Sequence, residues 1–93
     1  MYQQILSRLA LSLQNPLPEP RRLFHGRGHM FEGLEHVNID FFPPVLLLTG
    51  YKPIDELQEL IDAIKALDVL NQIKSVVYQQ RSSKGAPAEW VWG

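Results

Sequence analysis

Two consecutive prolines, Pro43-Pro44, divide the most strand-like part of the chain into two segments. Residues 34–42 alternate between apolar and polar side chains, which is typical of a strand with one buried face. Residues 45–49 are instead a continuous apolar run, which is typical of a strand that is covered on both faces. Because proline cannot donate a hydrogen bond to a neighbouring strand, the pattern predicts two separate strands that meet at the prolines.

Two further segments have the periodicity of amphipathic helices. Residues 3–14 carry apolar side chains at helical spacing, and Asn15-Pro16 is expected to end that helix, because the residue before a proline disfavours the helical conformation. A second apolar stripe runs through residues 57–67. At the start of this stripe, Asp55 and Gln58 have the spacing of a capping box, so we predict that they begin the second helix.

Two shorter segments complete the predicted fold. Arg21–His25 is a short strand candidate, and residues 73–80 are β-branched and mostly alternating. The sequence therefore predicts an α+β fold, with a small mixed or antiparallel sheet of about four strands and two helices packed on one of its faces.

The chain divides into three predicted parts. Residues 1–20 form an N-terminal helix and a proline-rich connector, residues 21–81 form the α+β core, and residues 82–93 form a linker and the start of a following domain that is missing from this chain. Trp90 and Trp92 lie in the last part, and we expect them to pack against that domain. The alternative is a C-terminal tail that folds back on the core.

The composition narrows the classes of function. A chain of 93 residues with a net charge of −1 predicts one small domain with no general affinity for nucleic acid, so only a local basic patch could bind it. The absence of cysteine excludes disulfides, thiolate metal sites and a cysteine nucleophile, and it fits a reducing compartment. The chain lacks both the roughly 18–20 continuous apolar residues of a membrane helix and the pattern of a signal peptide. We therefore expect a cytoplasmic protein and no membrane partner.

Three catalytic or ligand-binding interpretations fail on context. Gly26-Arg27-Gly28 begins a glycine-rich loop, but the third glycine is misplaced and no clear helix follows, so a dinucleotide site is not predicted. His25, His29 and His36 lack a metal-binding frame. His36 and Asp40 share a strand face, but the sequence supplies no nucleophile or oxyanion donors for them. We predict no catalytic residue, no metal and no cofactor in this chain.

One concentration of basic residues remains as a candidate binding surface. Its members are Arg21, Arg22, His25, Arg27 and His29. Phe24 and Phe31 interleave with them, a combination that suits phosphate contacts and stacking on unpaired bases. The alternatives are a solvated strand-and-loop edge, or arginines that pair with Glu19, Glu32 or Glu35.

The order of these motifs resembles a known family. The string R-L-F-H-G-R-G-x-x-x-x-G-L-x-x-x-x-I-D-x-x, followed by a strand, a helix and IKSVVYQQRS, is similar to the region before the catalytic domain in class I S-adenosylmethionine-dependent methyltransferases. The methyltransferases concerned modify cytosine or guanine in 23S rRNA. The matching residues are Arg22, Leu23, Gly26, Gly33, Leu34, Ile39, Asp40 and Phe42, and Val91-Trp92-Gly93 matches an L-W-G element that follows a short linker.

The resemblance covers about residues 21–93 and departs from the family pattern at residues 25–28, where His-Gly-Arg-Gly replaces an acidic Gly-Glu-x-Asp. It implies that the parent protein is the methyltransferase, with S-adenosylmethionine bound by a C-terminal Rossmann-like catalytic domain. This chain would then be a non-catalytic domain that positions ribosomal RNA. The competing hypothesis is a structural domain that packs on the catalytic domain or on a second subunit and contacts no nucleic acid.

Overall fold

A mixed five-stranded sheet forms the framework of the computed structural model, which describes residues 2–26, 33–81 and 88–93. The elements in chain order are α1 (Gln3–Leu13), β1 (Arg21–His25), β2 (Val37–Phe42), β3 (Val45–Gly50), α2 (Leu57–Leu67), β4 (Ser75–Gln80) and β5 (Glu89–Trp92). The strands lie side by side in sequence order. Strands β3 and β4 are parallel and the other neighbours are antiparallel. The predicted α+β fold is confirmed.

Both helices pack on the same face of the sheet, which we call the inner face. Alternate strand residues are buried there, which is the period-two pattern of a strand with one covered face. They are Val37, Ile39 and Phe41 of β2, Leu46 and Leu48 of β3, and Val76 of β4. The helices contribute Ile5, Leu9 and Leu13 of α1 and Leu60, Ile61 and Ile64 of α2 to the same core. Burial of each large aliphatic side chain contributes about 1.5–3 kcal/mol, so this layer supplies most of the favourable free energy of folding.

Two polar side chains fix the connection between α2 and β4. The carboxylate of Asp68 accepts hydrogen bonds from the backbone N–H groups of Gln72 and Ile73, at 2.9 and 2.8 Å. The Gln72 amide then reaches the proline-rich connector, where its Oε1 accepts from Leu17 N at 2.7 Å and its Nε2 donates to Asn15 O at 3.0 Å. These bonds satisfy backbone groups that would otherwise have no partner in a strand or helix.

The sheet has one strand more than the four expected, because Glu89–Trp92 pairs with β4. The structure thus assigns these residues to this sheet, although we expected them to begin another domain. Residues 82–87 lie outside the described ranges. The division of the chain into residues 1–20, 21–81 and 82–93 stays a prediction.

The capping box predicted at Asp55 and Gln58 is wrong. It requires the helix to start directly after Asp55, but α2 starts at Leu57, and Glu56 before it has a left-handed backbone with φ 54° and ψ 43°. Gln58 instead donates a hydrogen bond to Asp62 Oδ1 at 2.9 Å, one turn further along the helix.

Gly26 provides a test of the backbone geometry that follows β1. A Cβ atom at this position would overlap the carbonyl oxygen of Leu34 and lie 2.7 Å from that of Val37, so Gly26→Ala should lower the free energy of unfolding by about 2–3 kcal/mol. Gly33→Ala is the control: apart from its neighbours in the chain, no described residue has an atom within 4 Å of its Cβ position, but φ is +82°, and we expect a loss of about 1 kcal/mol. Urea denaturation measures both, and an equal loss would contradict the steric explanation.

Candidate functional site

The sheet face that points away from the helices carries the candidate site, and we call it the outer face. Its residues alternate with the buried ones in the register of the strands. They are Arg22 and His25 of β1, Asn38, Asp40 and Phe42 of β2, Val45, Leu47 and Thr49 of β3, Ser75, Val77 and Gln79 of β4, and Trp90 of β5. Neither helix of the described part of the chain packs on this face. It is therefore the broadest surface on which the sheet can meet a partner.

A β-bulge brings the first two of these residues together. Arg22 pairs with Asp40 and Phe24 pairs with Ile39, so Leu23 is an extra residue on β1. Residues three apart on a regular strand point to opposite faces, but the bulge shifts the alternation by one. Arg22 and His25 consequently share the outer face.

Arg22 is held by a carboxylate on the neighbouring strand. Its Nε donates to Asp40 Oδ1 at 2.8 Å and its Nη2 donates to Oδ2 at 3.3 Å. The hydrogen bond with Asp40 raises the pKa of Arg22 above its ordinary value. Exposed pairs of this kind contribute only about 0.2–1 kcal/mol to stability. The main effects of the pair are to orient the guanidinium and to offset its charge.

His25 is oriented by a buried amide. Its Nδ1 lies 2.9 Å from Asn38 Oδ1 and 3.3 Å from Arg22 Nη1, and Asn38 is only 2% exposed. An amide oxygen only accepts hydrogen bonds, so the shorter contact places the proton on Nδ1. Guanidinium only donates, so it cannot bond to that protonated nitrogen. In the neutral ring, Nε2 is therefore the hydrogen-bond acceptor.

We call Arg22, His25, Asn38 and Asp40 the polar corner. Of the five basic residues predicted as a binding surface, the structure brings together Arg22 and His25. Arg21 is exposed at the edge of the sheet, opposite Phe41, and so lies on the inner side. Arg27 and His29 lie outside the described residues. A glutamate partner for the arginines was one of the alternatives, and the partner of Arg22 is instead Asp40. Asn38 was not among the predicted site residues, although both Asn38 and Asp40 lie on the polar side of the alternating segment.

The other half of the outer face is apolar. Leu47 and Val77 are half-buried neighbours on β3 and β4, and Trp90 beside them is 67% exposed. The continuous apolar run in β3 predicted a strand covered on both faces. The described residues cover only its inner face fully, since Val45 and Leu47 remain half-buried.

A second bulge separates Trp90 and Trp92, which we expected to pack against a following domain. Val76 pairs with Trp92 and Val77 pairs with Trp90, so Val91 is the extra residue on β5. Trp92 therefore lies on the inner side, where Lys65 Nζ is 4.2 Å from the centre of its ring. Trp90 alone of the two faces outward.

His36, just before β2, has an environment of its own. Its Nδ1 is buried and has no hydrogen-bond partner among the described residues, while its carbonyl accepts from Tyr51 N at 2.8 Å. Burial lowers the pKa of His36 below 6.5, and the positive charge of Lys52 lowers it further, against the opposing effects of Glu35 and Asp55.

Within the described ranges, no group of three or more His, Cys, Asp or Glu side chains is arranged to hold a metal ion. Neither of the helices described there has the length and apolar character needed to cross a membrane.

No protein-family model matches the chain, and no curated protein is significantly similar to it. The resemblance to 23S rRNA methyltransferases therefore stays a prediction from the motifs.

The lowered pKa of His36 predicts a pH-dependent stability. The unfolded chain binds a proton near pH 6.5 while the folded chain still resists protonation, so the free energy of unfolding should fall as the pH drops through about 6.5 toward the lower pKa of the folded chain. His36→Gln should remove this component, and Lys52→Gln should reduce it. Urea denaturation at several pH values measures the effect, and an unchanged pH dependence in His36→Gln would contradict it.

Proposed function

We propose that this chain is a non-catalytic domain that positions RNA for an S-adenosylmethionine-dependent methyltransferase. The observation that carries the proposal is the polar corner, in which Arg22 is held by Asp40 and His25 by Asn38, on a sheet face that the helices leave uncovered. Side chains that are already oriented lose less conformational entropy when they bind a ligand. The motif resemblance supplies the identity of that ligand as ribosomal RNA.

The corner suits hydrogen bonding and stacking more than attraction by bulk charge. The charge of Arg22 is offset by Asp40, and the whole chain carries a net charge of −1. His25 Nε2 can accept a hydrogen bond from a ribose 2′-OH or an exocyclic amine, and its ring can stack on an unpaired base. The guanidinium can still donate to a phosphate. We therefore expect weak binding with a modest salt dependence.

In this proposal the methyl transfer occurs on a different domain of the same protein. A Rossmann-like catalytic domain binds S-adenosylmethionine, while this chain binds neither cofactor nor metal. Its contribution is to hold a single-stranded RNA segment in register with the catalytic domain, since contacts that position a substrate lower the entropic cost of reaction. The proposal places the protein in the cytoplasm.

Asp40→Asn provides a test in which binding should increase. The change releases the charge of Arg22, so affinity for a ribosomal RNA hairpin with an unpaired loop should rise about two- to fivefold at low salt, with a steeper salt dependence. Asp62→Asn is the matched control, because it makes the same change of net charge on the exposed surface of α2. NMR titration of the labelled chain measures affinity and maps the site.

We expect the largest amide shifts at Arg22, His25 and Asn38, and a loss of binding in Arg22→Ala. An equal gain in Asp40→Asn and Asp62→Asn would indicate general electrostatics. Shifts confined to α2 would refute the proposed site.

A second function, packing on another protein surface without contact to nucleic acid, is supported by the apolar half of the outer face. Trp90 is 67% exposed, and Leu47 and Val77 continue its apolar surface across the sheet. Contiguous exposed apolar surface on a small domain is characteristic of protein interaction sites.

The two tryptophans distinguish this function from internal packing. In the isolated chain, Trp90→Ala should change the free energy of unfolding by less than about 0.5 kcal/mol, whereas Trp92→Ala should cost about 1–2 kcal/mol through its contacts with Lys65 and Val76. In the methyltransferase that the first proposal requires, Trp90→Ala should lower the thermal midpoint if the outer face is packed. An unchanged midpoint, together with methylation lost in Arg22→Ala, would favour the RNA function over packing.

A further inference from the structure

Five outer-face residues form one row that crosses all five strands, and we call it the central row. The strand registers place Arg22 beside Asp40, Asp40 beside Leu47, Leu47 beside Val77, and Val77 beside Trp90. Because neighbouring strands are about 4.8 Å apart, the row is about 19 Å long. It has the Arg22–Asp40 ion pair at one end, the apolar Leu47 and Val77 next, and an aromatic ring at the other end.

The order of residues in the central row allows two copies of the chain to pack face to face about one particular two-fold axis. A two-fold axis parallel to the strands and just above Leu47 would lay the outer face of a second copy on the first. Leu47 is the third of the five residues, so it would face its own counterpart. The axis exchanges the ends of the row, so Arg22 would face the second copy's Trp90, and Asp40 would face the second copy's Val77.

The rows on either side of the central row follow the same symmetry. On one side, Val45 of the central strand would face its own counterpart. On the other side, Asn38 and Thr49 are already buried within one copy, at 2% and 5% exposure, and contribute no contact. A two-fold axis perpendicular to the strands would instead place Arg22 opposite Arg22 and Trp90 opposite Trp90. Like charges then face each other, whereas the parallel axis sets the guanidinium of Arg22 opposite an indole ring.

We propose that a second copy of this chain covers the outer face about the parallel axis. The inference rests on the second function above, packing of the outer face on a protein surface, and names its partner. Arg22 has a side chain that is 49% exposed and already oriented by Asp40, so its guanidinium is available to stack on an indole ring. Trp and Arg are also the residues that most often dominate the energetics of protein interfaces.

The sequence of β3 supports coverage by protein in particular. Its apolar run is typical of a strand buried on both faces, and Leu46 and Leu48 already fill the inner face. On the outer face Leu47 lies beside the aliphatic Val77, and such side chains pack on other apolar side chains more favourably than on phosphate or ribose. A facing copy would give Leu47 a second apolar layer, as in a two-sheet sandwich.

The size of the face sets the expected affinity. Five strands of four to six residues present on the order of 400 Å² per copy. This is about half the roughly 800 Å² per partner of a standard interface. We therefore expect a weak dimer with a dissociation constant of about 0.1–1 mM, which forms at high concentration and dissociates on dilution.

Analytical ultracentrifugation of the 93-residue chain, from about 10 µM to 1 mM, tests the dimer. Leu47→Glu places two carboxylates together on the axis and should weaken association at least tenfold. Leu70→Glu is the matched control: Leu70 is 47% exposed and lies in the turn after α2, away from the outer face, and its change should leave association unaltered. Circular dichroism verifies that both variants are folded.

A double-mutant cycle tests the axis. Arg22→Ala and Trp90→Ala should each weaken the dimer about three- to tenfold, and the double variant should be little weaker than either single one. Within one copy these residues are about 19 Å apart, a distance at which effects are additive. Coupling between them in the dissociation constant therefore requires contact across the interface. Both positions are exposed, so the variants remain informative even if Leu47→Glu fails to fold.

A chain that stays monomeric up to 1 mM, or equal weakening by Leu47→Glu and Leu70→Glu, would overturn the pairing. Additive effects in the cycle would overturn this axis. The packing function itself is tested separately, by the thermal midpoint of the methyltransferase that carries Trp90→Ala. The dimer can therefore fail while the packing function holds. A monomeric chain combined with a lowered midpoint in that variant would identify another domain as the partner on this face.

Discussion

Apolar packing along β3 is the constraint on which the other elements depend. This strand lies at the centre of the sheet, pairs with β2 through a short turn and with β4 through a helical crossover, and buries Leu46 and Leu48 under both helices. Parallel pairing of β3 with β4 requires a crossover connection, and α2 provides it while adding its apolar stripe to the same core. The position of β3 therefore determines which face is filled and which is left for a partner.

The two β-bulges give the outer face its chemical character. Each occurs where an edge strand meets the interior of the sheet, at β1 and at β5. The first brings Arg22 and His25 to one face, and the second divides Trp90 from Trp92. A regular ladder would have done the opposite in both cases, since spacing in the chain alone decides the face of a residue in an unbroken strand. The polar corner and the exposed indole thus arise from irregular pairing.

The features that could be predicted from the sequence are those that depend on patterns within short segments. The two helices, the alternating strand β2 and its end at Pro43-Pro44 each follow from a pattern within a short segment. The structure contains all of these features. The partners of Arg22 and His25, the pairing of β5 and the left-handed Glu56 depend on contacts between distant segments or on backbone geometry that composition does not specify. The candidate site lies in this second category, so its residues could be proposed but their arrangement could not.

The link between Gln72 and the connector has a consequence for how the domain opens. In the described residues, the attachments of α1 and its flanks include Ile5, Leu9 and Leu13 in the core, the Gln72 amide, and a hydrogen bond from the Tyr2 hydroxyl to Asp55 O, without any shared strand ladder. Elements held only by side-chain contacts tend to separate at lower free energy than strands within a sheet. Local unfolding of α1 would expose the side of β1 that belongs to the inner face, and it would leave the outer face unchanged. The segment that opens most readily and the surface offered to partners therefore lie on opposite sides of the sheet.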